Sequence, residues 1–119
     1  MTLVYKVCSV SEWQEANKIN FFFGSAIDLK DGFIHLSTKD QLEVTVSKHF
    51  AGQTKLLLIE FDIKVIKSSL KWEKSRDGDL FPHFYGKINV NLANEIFQLN
   101  LGMDGSHKFP ENFFTNKRI

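Results

Sequence analysis

Six consecutive residues, Leu56-Leu57-Leu58-Ile59-Glu60-Phe61, set the strongest limit on how this chain folds. The run is short for a helix and continuously apolar, so it reads as a central strand covered on both faces. It is scaffold and carries no chemistry of its own. Leu3 to Cys8 reads as a first strand. Ser9-Val10-Ser11-Glu12 then has the Ser-x-x-Glu spacing of a capping box and predicts a helix over Glu12 to Lys18, with Trp13 and Ala16 to Ile19 on its packed side. Phe21-Phe22-Phe23-Gly24-Ser25 breaks that pattern and leads into a loop, its rings serving the core or lining a pocket.

Thr38-Lys39-Asp40-Gln41 repeats the capping-box logic and predicts a second helix to Phe50, with Leu42, Val46 and Phe50 on one stripe. Leu70 to Glu73, Lys87 to Val90 and Glu95 to Leu101 read as strands, and Pro82 places His83 at a sheet edge or just outside a ladder. Residues 103–119 read as a loop-like tail in which Phe109, Phe113 and Phe114 call for packing somewhere. The fold class is therefore α+β, a single domain over residues 1–119 with two main helices against a mostly β core. Too few helices and no glycine fingerprint disfavour a doubly wound nucleotide fold.

Fifteen basic against fourteen acidic side chains leave a net charge of +1, so no long-range field draws the chain to DNA or anionic lipid. Neither partner is expected, nor is a membrane span. The lone Cys8 can form no internal disulfide and fits a cytoplasmic setting. The four histidines, at positions 35, 49, 83 and 107, lack metal-ligand spacing, so no metal is expected.

Chemistry concentrates in two spacings, His35-x-Ser37 and His83-x-Tyr85. The Asp31-Gly32 turn and the Ser37-Thr38 helix start bracket a strand, and on a strand residues two apart share a face. His35 and Ser37 would then project together, as would His83 and Tyr85. Between them lie Trp72, Glu73 and Arg76: a ring, a carboxylate and a cation able to grip phosphate. The catalytic candidates are His35, His83 and Glu73. Ser37, Arg76, Tyr85, Trp72 and Ser25 are the ligand-binding candidates. The plainer alternatives are histidines hydrogen-bonded within the fold and a solvated Glu73–Arg76 pair.

Asp31-Gly32-Phe33-Ile34-His35-Leu36-Ser37-Thr38, then Gln41, Thr45 and Phe50, then Trp72-Glu73-x-Ser75-Arg76, then Leu80-Phe81-Pro82-His83-x-Tyr85-Gly86 together resemble the small bacterial family called domain of unknown function 952. The resemblance spans roughly Leu3 to Gly86. It implies a short single-domain protein with an ADP-ribosyltransferase-like fold, a split β core and a cleft for NAD or a related nucleotide. His35 and Ser37 match the strand-borne His and hydroxyl residue that meet the ribose in those transferases. Leu36 stands where many of them have Gly, and Glu73 lies in a different motif from their catalytic Glu.

Three functions follow as expectations. The first is a domain binding NAD, ADP-ribose or a phosphorylated ribose, with an RNA end as a further candidate and NAD as ligand or substrate. The second is a two-histidine phosphoesterase acting on cyclic phosphates. The third is a non-catalytic protein-interaction module.

Overall fold

The computed structural model describes residues 2–75 and 78–115. Strand β1 (Leu3–Ser9) pairs with β5 (Leu56–Asp62) along its whole length, from Leu3 opposite Asp62 to Ser9 opposite Leu56. On the other side of β5 lies β9 (Glu95–Leu101), while β4 (Ser37–Thr38) and β10 (His107–Lys108) form the edges. The sheet is antiparallel in the order β10-β9-β5-β1-β4, with the apolar run as its middle strand. Alternation along that run feeds two cores. Leu57, Ile59 and Phe61 join Val4 and Cys8 on one face, and Leu56 and Leu58 join Tyr5, Val7 and Leu99 on the other.

Helix α1 (Val10–Ile19) covers the first face with Trp13 and Ala16. Its start is fixed by the expected box: Glu12 N–H donates to Ser9 Oγ at 3.1 Å, and Ser9 N–H donates to Glu12 Oε1 at 2.8 Å. A 3₁₀ turn (Lys39–Gln41) and then α3 (Leu42–His49) cover the second face with Leu42 and Val46, and Thr38 N–H donates to Gln41 Oε1 at 3.0 Å. Between these helices lie β2 (Phe21–Phe22) and the six-residue α2 (Ala26–Asp31), a strand and a helix where the sequence reading has a loop. No helix among the described residues is long and apolar enough to cross a membrane.

A second, three-stranded sheet has the order β3-β7-β6, formed by β3 (Ile34–His35), β7 (Leu80–Phe84) and β6 (Leu70–Lys74). Its two faces differ. Ile34 and Phe84 enter the first core, whereas His35, His83 and Lys71 stand opposite one another in a row on the other face. Two expectations change here. The chain switches sheets at Leu36: Leu36 N–H donates to the Pro82 carbonyl at 3.0 Å, and Ser37 then pairs with Tyr5 of β1. Pro82 lies in the middle strand and not at an edge. A strand residue's N–H and C=O point to the same neighbour, so the missing Pro82 N–H faces β3 where that strand gives way, and costs β6 no bond.

The short strand β8 (Ile88–Asn89) pairs with β2. With a Cα radius of gyration of 13.8 Å, close to the ~13.5 Å of a compact chain this long, the protein is one small domain of mixed helices and strands. The tail packs against the second core at Phe109 and Phe113. Phe113 is 7% exposed in the second core, edge-on to Tyr5 at 5.4 Å, with Lys39 Nζ 4.5 Å from its ring centroid. Phe113→Ala should therefore lower the unfolding free energy by about 3 kcal/mol in urea denaturation. A loss below about 0.5 kcal/mol, the level of a surface change, would show that the tail is not part of the core.

Candidate functional site

Asp28, in the first turn of α2, has its side chain fully buried and accepts four hydrogen bonds. Its Oδ2 takes Lys6 Nζ at 2.7 Å and Ser25 N–H at 2.8 Å. Its Oδ1 takes His35 N–H at 3.1 Å and faces His35 Nδ1 at 2.6 Å. A carboxylate has about four lone-pair positions, and all are used. Burial pushes the Asp28 carboxyl up, but the His35 hydrogen bond and the Lys6 charge outweigh it and hold the group at about 2. Since an ionised carboxylate only accepts, His35 Nδ1 is the donor. Gly24 makes this approach feasible. Its φ of +118° suits glycine, and a Cβ there would lie 2.6 Å from Asp28 Cβ.

His35 is thus locked from behind while its other nitrogen, Nε2, lies 3.0 Å from Asp31 Oδ2. Across the sheet stands His83, 4% exposed, with Nδ1 2.8 Å from Glu73 Oε1. The same oxygen accepts the Tyr85 hydroxyl at 2.6 Å. Glu73 is held below the usual carboxylate range, first by Tyr85 and then by His83, and the Tyr85 phenol is raised by that shared bond. Phe33 packs into the middle of the group, stacked on His83 at 4.1 Å and tilted against His35 at 4.6 Å and Tyr85 at 5.4 Å. The two imidazoles are 5.6 Å apart, and Lys71 Nζ lies 5.0 Å from the Tyr85 ring centroid.

The two histidines differ at the atom that matters. No group among the described residues partners His83 Nε2, whereas both nitrogens of His35 face carboxylates. With Nδ1–H donated to Glu73, a neutral His83 presents Nε2 as a lone pair, the arrangement that suits a hydrogen-bond acceptor or general base. Beyond Phe33 opens a groove of ≈ 400 Å³ lined by Phe23, Asp28, Leu29, Phe33, Gly86 and Lys87; it adjoins the cluster through Phe33, and neither histidine forms part of its wall. Another, of ≈ 360 Å³, lies at Thr54, Lys55 and Asn100 and holds neither histidine nor carboxylate.

His35, His83, Glu73 and Tyr85 come together in the structure. Ser37 is buried on the Tyr5 face of the large sheet, with its hydroxyl 3.3 Å from that of Thr45. Ser25 is the residue preceding α2, and Trp72 is on the face of β6 opposite Glu73. Arg76 lies outside the described residues. Cys8 is fully buried, and burial pushes its thiol up to about 12, so it is no nucleophile at neutral pH. The residues that sequence reasoning missed are Asp28, Asp31, Phe33 and Lys71. Period two pointed to Phe33 beside His35 and to Lys71 beside Glu73, and Ser25-x-x-Asp28 has capping-box spacing.

A histidine pair, one ring buried and one half-exposed, with a carboxylate on each Nδ1, lies on one face of a small antiparallel sheet in this α+β domain. Residues 7–96 match the family model described as protein of unknown function (DUF952), and the chain belongs to that family. It is similar to the crystal structure of protein CC0527 from Caulobacter crescentus, at 42% identity over 90% of this chain and 94% of that one, with a TM-score of 0.86. The solution NMR structure of CC0527 gives 43% identity, 89% and 91% coverage and a TM-score of 0.80. No curated protein matches.

Asp28 also sets an acid limit. Its carboxyl is held at about 2 in the fold against ~3.9 in an unfolded chain, so its contribution is complete above pH ~4 and is lost as pH falls toward 2. Urea denaturation from about pH 5 down to about pH 2 should show stability declining through that window. Asp28→Asn should flatten the decline, and an unchanged slope would contradict the assigned ion pairs.

Proposed function

We propose that the protein binds the ribosyl phosphate of a nucleotide such as ADP, ADP-ribose or NAD between His35 and His83, with His83 as acceptor for a ligand hydroxyl. One observation carries this reading. The His83 ring is nearly buried and anchored through Nδ1 on Glu73, and no group among the described residues meets its Nε2, which leaves that nitrogen available to a ligand. A sugar hydroxyl fits it in size and charge. Lys71 and Lys87 supply cations for the phosphates, and Phe23 and Phe33 supply ring faces beside the groove for a base. The Glu73-backed His83 then has the parts to take a proton from the bound hydroxyl or from water.

The family's resemblance to ADP-ribosyltransferases supports the same assignment of fold and ligand class. An RNA 3′ end carries the same sugar and falls within it. The single buried Cys8 fits a reducing cytoplasm. A second reading, a phosphoesterase acting on cyclic phosphates, draws on the 5.6 Å separation of the two carboxylate-backed rings. It expects turnover of a 2′,3′-cyclic nucleotide that disappears when either histidine is replaced.

The test of the leading reading is thermal denaturation with ADP, ADP-ribose and NAD. Ligand at about a hundredfold excess over Kd should stabilise the wild type by about 2.7 kcal/mol. His83→Gln, folded by circular dichroism, should lose that gain. Equal affinity in wild type, His35→Ala and His83→Ala would refute the site, and a protein indifferent to all three nucleotides would refute the function.

A further inference from the structure

Asp31 borders the open edge of His35. It ends α2, and Gly32 follows with φ +86°, turning the chain so that Asp31 and His35 come to lie side by side. Asp31 Oδ2 is 3.0 Å from His35 Nε2, and the two side chains are 37% and 33% exposed, so the contact is at the mouth of the site. Asp28 holds the other ring nitrogen from inside. One imidazole between two carboxylates is an environment without surplus positive charge. A phosphate brought to His35 Nε2 would meet the Asp31 oxygens at close range and be repelled. An uncharged hydroxyl would not. It can donate to Asp31 while a neighbouring hydroxyl donates to His83 Nε2, since the His35 ring that Asp31 borders has its centroid 5.6 Å from that of His83.

We infer that Asp31 is a specificity-determining residue that selects an unphosphorylated ribose cis-diol and rejects a sugar carrying phosphate at the 2′ position. The phosphates of the ligand then lie away from His35, on the side of Lys71 or Lys87. This rests on the ribosyl reading above and goes further, because it names the form of ribose accepted. It also turns against cyclic phosphates, whose charge would sit on the diol itself.

Calorimetric titration of wild type and Asp31→Asn with ADP, 2′-deoxy-ADP and adenosine 2′,5′-bisphosphate tests it. The wild type should bind ADP about tenfold more tightly than either analogue, since a charge-assisted hydrogen bond is lost in one case and like charges meet in the other. In Asp31→Asn, ADP should weaken toward the deoxy compound and the bisphosphate should gain. Asp31 is exposed and supports no buried group, so the variant should fold, and an unchanged urea midpoint verifies this. Wild type that binds ADP with the same preferences as Asp31→Asn overturns the role of Asp31 and leaves the ribosyl reading standing. Wild type that binds none of the three overturns both.

Discussion

The Asp28 carboxylate ties two short pieces, α2 and β3, to a strand of the large sheet. Helix α2 is six residues long and β3 only two, both below the length at which such elements persist in water. Each bonds to Asp28, which is tied in turn to β1 of the large sheet through Lys6. The arrangement is not an obvious source of stability, because removing both charges from water costs about what their attraction returns. What it gives is position. Four donors converge on two oxygens, and only one placement of α2, β1 and β3 satisfies them together. The orientation of the His35 ring follows from that placement.

The small sheet then divides labour between its faces. Ile34 and Phe84 belong to the core, and their neighbours His35 and His83 face the candidate site, so the backbone that carries each ring is anchored by the core beneath it. Phe33 packs against both imidazoles and Tyr85 at once, so one ring fixes the spacing of three. The large sheet, buried on both faces at β1 and β5, provides the frame, and the same overall shape recurs in CC0527.

Most of the frame was legible because its signals are local. Two capping boxes located α1 and α3, and the run from Leu56 to Phe61 located the middle strand. Helix α2 was hidden because its pattern is inverted. Its buried residue is Asp28, while Ile27 and Leu29 are 54% and 64% exposed, so apolar periodicity points the wrong way. The grouping of His83, Tyr85 and Glu73 followed from the two-residue period of strands. Ser37 escaped that rule because the chain changes sheets one residue earlier, at Leu36, and local alternation cannot report a change of partner. Pro82 misled for a related reason: its missing donor falls at that same switch. Asp28 bonds His35 from seven residues away, and no short motif encodes such a contact.

The central claim is that His83 keeps Nδ1–H on Glu73 and leaves Nε2 open for a ligand hydroxyl. Long-range ¹H–¹⁵N NMR of the ring nitrogens, with and without ADP-ribose, tests it directly. In the neutral ring, Nε2 of His83 should resonate as the unprotonated nitrogen, and ADP-ribose should shift that signal while Nδ1 stays protonated. A neutral ring protonated at Nε2, or an Nε2 resonance unmoved by saturating ligand, would contradict the account.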